Sequence, residues 1–115
     1  MAVKILIQRR IKPGKQNQLG EAIKDIRPKV VQAQGFISGE TLRSIEDPSL
    51  HLVISTWKSL EDWNSWLTSA ERKAFENTIA PVLSEPEQIS TYQIDTYFDI
   101  KGMVETMAEA IVVAN

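Results

Sequence analysis

All three tryptophans of this chain lie between Ser55 and Phe75, where apolar residues stop recurring at every second position and begin to recur at every third or fourth. A strand therefore ends and a helix begins across a two-residue turn. Trp57 ends the strand and Lys58-Ser59 makes the turn. Ser59 followed by Asp62 is a capping-box pattern: the hydroxyl accepts a helix N–H, and the carboxylate answers the serine N–H and the positive end of the helix dipole. The helix therefore begins near Leu60. At about 100° per residue, Leu60, Trp63, Trp66, Leu67 and Ala70 share about a third of the circumference, and this apolar stripe must cover something. Trp63 is central in it and is expected in the core. Trp66 lies at its edge, one turn after Asp62 and beside Ser69, and is expected to wall a cleft, although packing alone is the commoner role of aromatics at helical spacing.

The rest of the chain supplies partners for that unit. Val3, Ile5, Ile7 and Ile11 alternate with Lys4, Leu6, Gln8 and Arg10, a strand with one mostly polar face that Pro13-Gly14 ends. Leu19, Ala22, Ile23 and Ile26 then trace a helix, which Pro28 either kinks or restarts before a stop at Gly35. Phe36 to Ile45 reads as a second strand with a bulge at Gly39, and Leu50 to Trp57 as a third, joined through the turn residues Glu46-Asp47-Pro48-Ser49. Leu50, Leu52 and Ile54 share one face of the third strand, while His51, Val53, Ser55 and Trp57 share the other. Ser69 caps a further helical segment, Ala70 to Ile79, closed by Pro81. A loop leads to a fourth strand, Ile89 to Ile100, and after Lys101-Gly102 the residues Met103, Val104, Met107, Ala108, Ile111 and Val112 trace a terminal amphipathic helix.

The order predicts an α+β, ferredoxin-like βαββαβ domain over residues 1–100, with a four-stranded antiparallel sheet and helices on one face, followed by a helical extension over 101–115. With Leu42, Leu50 and Leu52 turned toward the helices, Ile37, Ile45, Val53 and Trp57 would face away from them. A second sheet packed against that face would bury them, giving a homodimer of the dimeric α+β barrel type.

Composition removes several function classes. At 115 residues, 43% of them apolar, the chain can build one core. A net charge of −2 with scattered lysines and arginines gives no footprint for nucleic acid or an anionic membrane. Without cysteine there is no thiolate metal site or cysteine nucleophile, and a single histidine leaves few metal options, so no metal is expected. The N-terminus does not read as a signal peptide and no apolar run is long enough to span a bilayer, so a cytoplasmic location is expected.

From Gly35 to Arg72 the sequence resembles the antibiotic biosynthesis monooxygenase family of dimeric α+β barrel proteins. The likeness rests on Gly35-Phe36 entering the second strand, on Trp57 with Lys58-Ser59, and on the phrase E-D-W-x-x-W-x-x-S from Glu61 to Ser69. It extends over roughly Val3 to Ile100, and the segment from Gly102 onward lies outside it. The resemblance implies a homodimer with an apolar cleft in each subunit between the sheet and the tryptophan helix, here Ile7, Trp63, Trp66 and Phe75. It further implies, for active members, oxygenation of an aromatic polyketide- or quinol-like molecule without metal, flavin or other cofactor. A second branch of the family degrades haem, using a strand-one Asn, the helix Trp and a His. Here those positions hold Ile7, Trp66 and Glu76, which disfavours haem. The lone His51 lies on the strand face opposite Leu50 and Leu52 and is not expected in the cleft.

The catalytic candidates under the oxygenase reading are Trp66, to orient an aromatic ring, Asp62, to accept a phenolic proton, and Arg72, to pair with an enolate. The family's oxygenases carry Asn where Asp62 stands, and the helix dipole works against Asp62 as a base. Arg72 has the alternative of a surface ion pair. The competing reading is a non-catalytic dimer of the same fold that binds a small apolar molecule.

Overall fold

The computed structural model describes residues 1 to 99. Strands β1 (Val3–Arg10), β2 (Phe36–Arg43), β3 (Leu50–Trp57) and β4 (Gln88–Gln93) form one antiparallel sheet in the order β2-β3-β1-β4. Helix α1 (Gln16–Val30) joins β1 to β2, while α2 (Leu60–Leu67), α3 (Ala70–Ile79) and a 3₁₀ turn (Ala80–Val82) join β3 to β4. The fold is α+β and ferredoxin-like, βαββααβ. The terminal amphipathic helix expected from Met103 onward lies outside the described residues.

Pro28 sits in the last turn of α1 without breaking it, and the helix ends at Val30 rather than running to Gly35. Gly35 takes a φ of 81° in the turn that follows, where a side chain would be strained. Ser59 accepts the Asp62 N–H at 3.1 Å and Ser69 accepts the Arg72 N–H at 3.1 Å, so each of the two short helices after β3 is capped by its serine. The apolar stripe of α2 is narrower than its periodicity suggests: Trp63 and Trp66 are buried, but Leu60 and Ala70 are exposed.

Which sheet face meets the helices is settled by β1. Its aliphatic phase, Val3, Ile5 and Ile7, is buried, and the register sets Trp57, Ser55 and Val53 opposite those residues. Trp57 is therefore completely buried beneath the helices, and the expectation that Trp57 and Val53 face a partner sheet is corrected. Both faces of β3 carry apolar side chains, so its own alternation does not choose between them. The outward face carries Leu6, Leu42, Leu52 and Ile54, paired as Leu6 with Ile54 and Leu42 with Leu52.

Two further boundaries differ. The register shift in β2 falls between Phe36 and Ser38, not at Gly39, because Phe36 keeps its place opposite Trp57 and meets it edge-on at 5.3 Å. β4 stops at Gln93, because Gln93 pairs with Val3, the first residue of β1, and the ladder has no strand beyond it. Two buried clusters fill the space under the helices. Ile11, Leu19, Ala22, Phe75, Ile79, Val82 and Leu83 make one, and Val3, Ile5, Ile7, Trp57, Trp63 and Trp66 make the other.

Candidate functional site

Between the two clusters lies a cavity of about 240 Å³. Trp57 is its anchor. Its ring meets Trp63 edge-on at 5.6 Å and stacks on Trp66 at 6.5 Å and 27°, while its indole N–H donates to Ser55 Oγ at 3.0 Å. Phe36, Val53 and Ile7 continue the wall from the sheet, and Ile23, Ile26 and Val30 close it from α1. The exposed Arg27, Val31, Glu40 and Thr41 form the rim. A void of ~150 Å³ accepts benzene, so a larger, apolar cavity that opens at a rim suits a planar aromatic ligand.

The four residues expected to line the cleft, Ile7, Trp63, Trp66 and Phe75, all border this cavity, and so does Arg72. Asp62 does not. It borders a separate polar cleft with Lys29, Gln32, Gln34, Ser65, Ser69 and Glu71, and Trp66 is the one cavity residue that also borders that cleft. The carboxylate of Asp62 is held against Gly35, where a Cβ would overlap it. Asp62 is thus not brought together with Trp66 and Arg72 around one void.

Arg72 is not a surface ion-pair residue. Its side chain is 3% exposed, and its Nη2 donates to Glu87 Oε1 at 2.6 Å. The other oxygen of Glu87 accepts from Arg9 Nε, also at 2.6 Å, and the side chain of Arg9 is 6% exposed. Both guanidinium groups stand over the Phe75 ring, at 5.2 and 5.4 Å from its centre. Arg72 Nε lies 3.4 Å from Glu76 Oε2, within ion-pair range but misaligned for a hydrogen bond, and it has no other partner. Burial lowers the Arg9 pKa from its ordinary value; Glu87 opposes that shift and the neighbouring Arg72 adds to it.

Arg9 and Glu87 escaped the sequence reading for different reasons. Arg9 occupies the buried phase of β1 between Ile7 and Ile11, and a charged residue in an aliphatic phase is a signal that alternation alone could have flagged. Glu87 stands before β4 among Glu85 and Pro86, with nothing local to distinguish it.

His51 is also relocated. The face opposite Leu50 and Leu52 is the helix-covered face, so His51 shares the side of the sheet that bears the cavity. It stands one residue pair beyond Val53, between Arg9 on β1 and Arg43 on β2, and does not border the void. Its Nδ1 is buried without a partner, and burial, then Arg43 and Arg9, lower its pKa. The residues do not fit the haem-degrading pattern: Ile7 is an apolar wall, and Glu76 is engaged with Arg72 and Lys73. No group of three His, Asp or Glu side chains among the described residues could hold a metal ion, and no described helix is long and apolar enough to cross a membrane.

The fold is shared with solved structures. A conserved protein of Methanosarcina mazei Go1 superposes with a TM-score of 0.78 at 17% identity, covering 83% of this chain and 94% of that one. The protein Rv0793 of Mycobacterium tuberculosis superposes at 0.77 with 10% identity, covering 86% and 100%. Among curated sequences, Protein SchA of Streptomyces halstedii is 25% identical over 79 residues, which are 69% of this chain and 21% of that protein. The chain spans about a fifth of the length of the curated relatives it matches. The family model described as antibiotic biosynthesis monooxygenase matches residues 2–78, which hold every strand but β4 and the whole tryptophan wall. The chain belongs to the antibiotic biosynthesis monooxygenase family.

Proposed function

We propose that the protein is a cofactor-independent monooxygenase that oxidises an aromatic polyketide- or quinol-like molecule in the cavity beside Trp66. The observation that carries this reading is that one void is bordered by three indoles, two of them packed on Trp57, and by the buried Arg72. The indoles hold a planar ring in a fixed orientation, and a nearby cation stabilises its enolate. An anthrone-type substrate loses a proton from its ring CH₂ to give the enolate, which passes one electron to O₂. The two radicals join as a hydroperoxide, and loss of water leaves a carbonyl. One oxygen atom of O₂ enters the product and the other leaves as water, so the substrate supplies all the electrons. Oxygen uptake across a panel of anthrones and quinols tests the proposal. Uptake above the buffer rate with at least one of them supports it, and no acceleration with any of them contradicts it.

One observation favours the second reading, a non-catalytic binding protein of the same fold. Asp62, the candidate base, borders the other side of Trp66, leaving the interior of the cavity without a free carboxylate. Under the oxygenase reading the proton must then leave to solvent through the rim.

We further propose a homodimer through the outward sheet face. Leu6, Leu42, Leu52 and Ile54 form a continuous apolar patch there, and a patch of this kind on a four-stranded sheet is a docking surface for a second copy.

A further inference from the structure

Arg9 and Arg72 are two buried cations that share a single, partly buried carboxylate. Glu87 is shared between them, and Glu76, 3.4 Å from Arg72 Nε, is more exposed and is shared in turn with Lys73, so three cations face two carboxylates beside the apolar cavity. The hydrogen bonding is equally incomplete. Arg9 donates to Glu87 through Nε alone, and its two terminal nitrogens have no partner among the described residues, although the residue as a whole is 5% exposed and borders the void. Those terminal nitrogens are therefore open to the void, where an acceptor on a ligand can meet them. Across the sheet, Arg43 is a further cation, and His51, whose pKa is lowered by burial first and then by Arg43 and Arg9, leaves its buried Nδ1 unpartnered and makes no hydrogen bond to Arg9 among the described residues.

We propose that the cavity selects ligands that carry a negative charge, receiving an ionised oxygen on the free terminal nitrogens of Arg9 while the ring lies against the indoles. Glu87 orients both guanidinium groups and tunes how much positive charge faces the ligand. This rests on the oxygenase reading in one respect: the ionised oxygen is that of a phenol or enol, and the site favours the substrate in its deprotonated form. A carboxylate presents the same chemistry from another source.

Quenching of the intrinsic tryptophan fluorescence of the full chain reports occupancy directly, because all three indoles border the void. The anion 2-naphthoate is titrated beside its uncharged counterpart 2-naphthamide, and separately the visible ionisation of 4-nitrophenol is followed with and without protein. The wild type should bind naphthoate at least about tenfold more tightly than the amide, the worth of one charge-assisted hydrogen bond. Bound nitrophenol should ionise about one pH unit lower than free nitrophenol. Arg9→Gln should abolish both effects and Glu87→Gln should enlarge them, so the two variants move in opposite directions. If Arg9→Gln does not fold, the wild type and Glu87→Gln decide the matter alone. A pKa shift without a preference for naphthoate identifies the phenolate as the ligand form, and the reverse identifies a carboxylate. Equal binding of naphthoate and amide with an unshifted nitrophenol pKa overturns the charge selection and leaves the cavity reading standing. Absence of quenching by every probe overturns both.

Discussion

Asp62 and Trp66, one helical turn apart on α2, share the polar cleft but not the aromatic cavity, which Trp66 borders and Asp62 does not. Adjacency on a helix therefore does not make them a catalytic pair. Asp62→Asn should leave oxygen uptake within about twofold of wild type, since a base removed from its site typically costs 10²-fold or more. A loss of that size in the variant would return Asp62 to the chemistry.

The packing of the three indoles sets the next expectation. Trp63→Ala should destabilise the protein by about 3–5 kcal/mol, as truncation of a buried aromatic in a well-packed wall does. Trp66, open to a hollow on each side, should cost less. Trp66→Phe should keep the fold and lose ligand quenching. Urea denaturation of the two alanine variants checks the ranking, and an equal, severe loss in both would make the tryptophan wall purely structural.

The outward sheet face gives a solution test. Leu52→Lys places a charge among Leu42, Leu6 and Ile54 without touching the helix-covered core, so sedimentation should report a dimer for the wild type and a monomer for the variant at micromolar concentration. A wild-type monomer would remove the proposed sheet pairing.

His51 predicts a pH dependence of stability. Its folded-state pKa is lowered, so the unfolded chain binds the proton more readily. The contribution is fully present above the ordinary imidazole value of about 6.5 and is lost as pH falls through the lower folded value. Denaturation midpoints should fall on acidification below that point, and His51→Gln should flatten that part of the profile. An unchanged profile in the variant would assign the slope to other groups.

Much of this was legible in the sequence because local chemistry and tertiary packing agree. The serines at 59 and 69 start their helices, the change of period at Trp57 marks the strand end, and the order of the elements, with the resemblance from Gly35 to Arg72 beside it, points to the architecture. The inward face of β3 was not legible, because Val53 and Trp57 compete with Leu52 and Ile54 on apolarity and only pairing with β1 decides. The separation of Asp62 from the cavity was not legible either, since it follows from the close approach of Asp62 to Gly35 across twenty-seven residues of chain. Glu87, in the loop before β4, joins Arg9 on β1 and Arg72 on α3, a relation with no local signature.

Oxygenation in the cavity beside Trp66 leaves an isotopic signature in the product. The most direct measurement is turnover of an anthrone under isotopically labelled O₂, with the product read by mass spectrometry. The wild type should accelerate formation of an anthraquinone carrying one labelled oxygen, Asp62→Asn should do the same, and a folded Trp66→Phe variant should do so more slowly. Product formation at the buffer rate, or equal acceleration by the wild type and Trp66→Phe, would contradict oxygenation in that cavity.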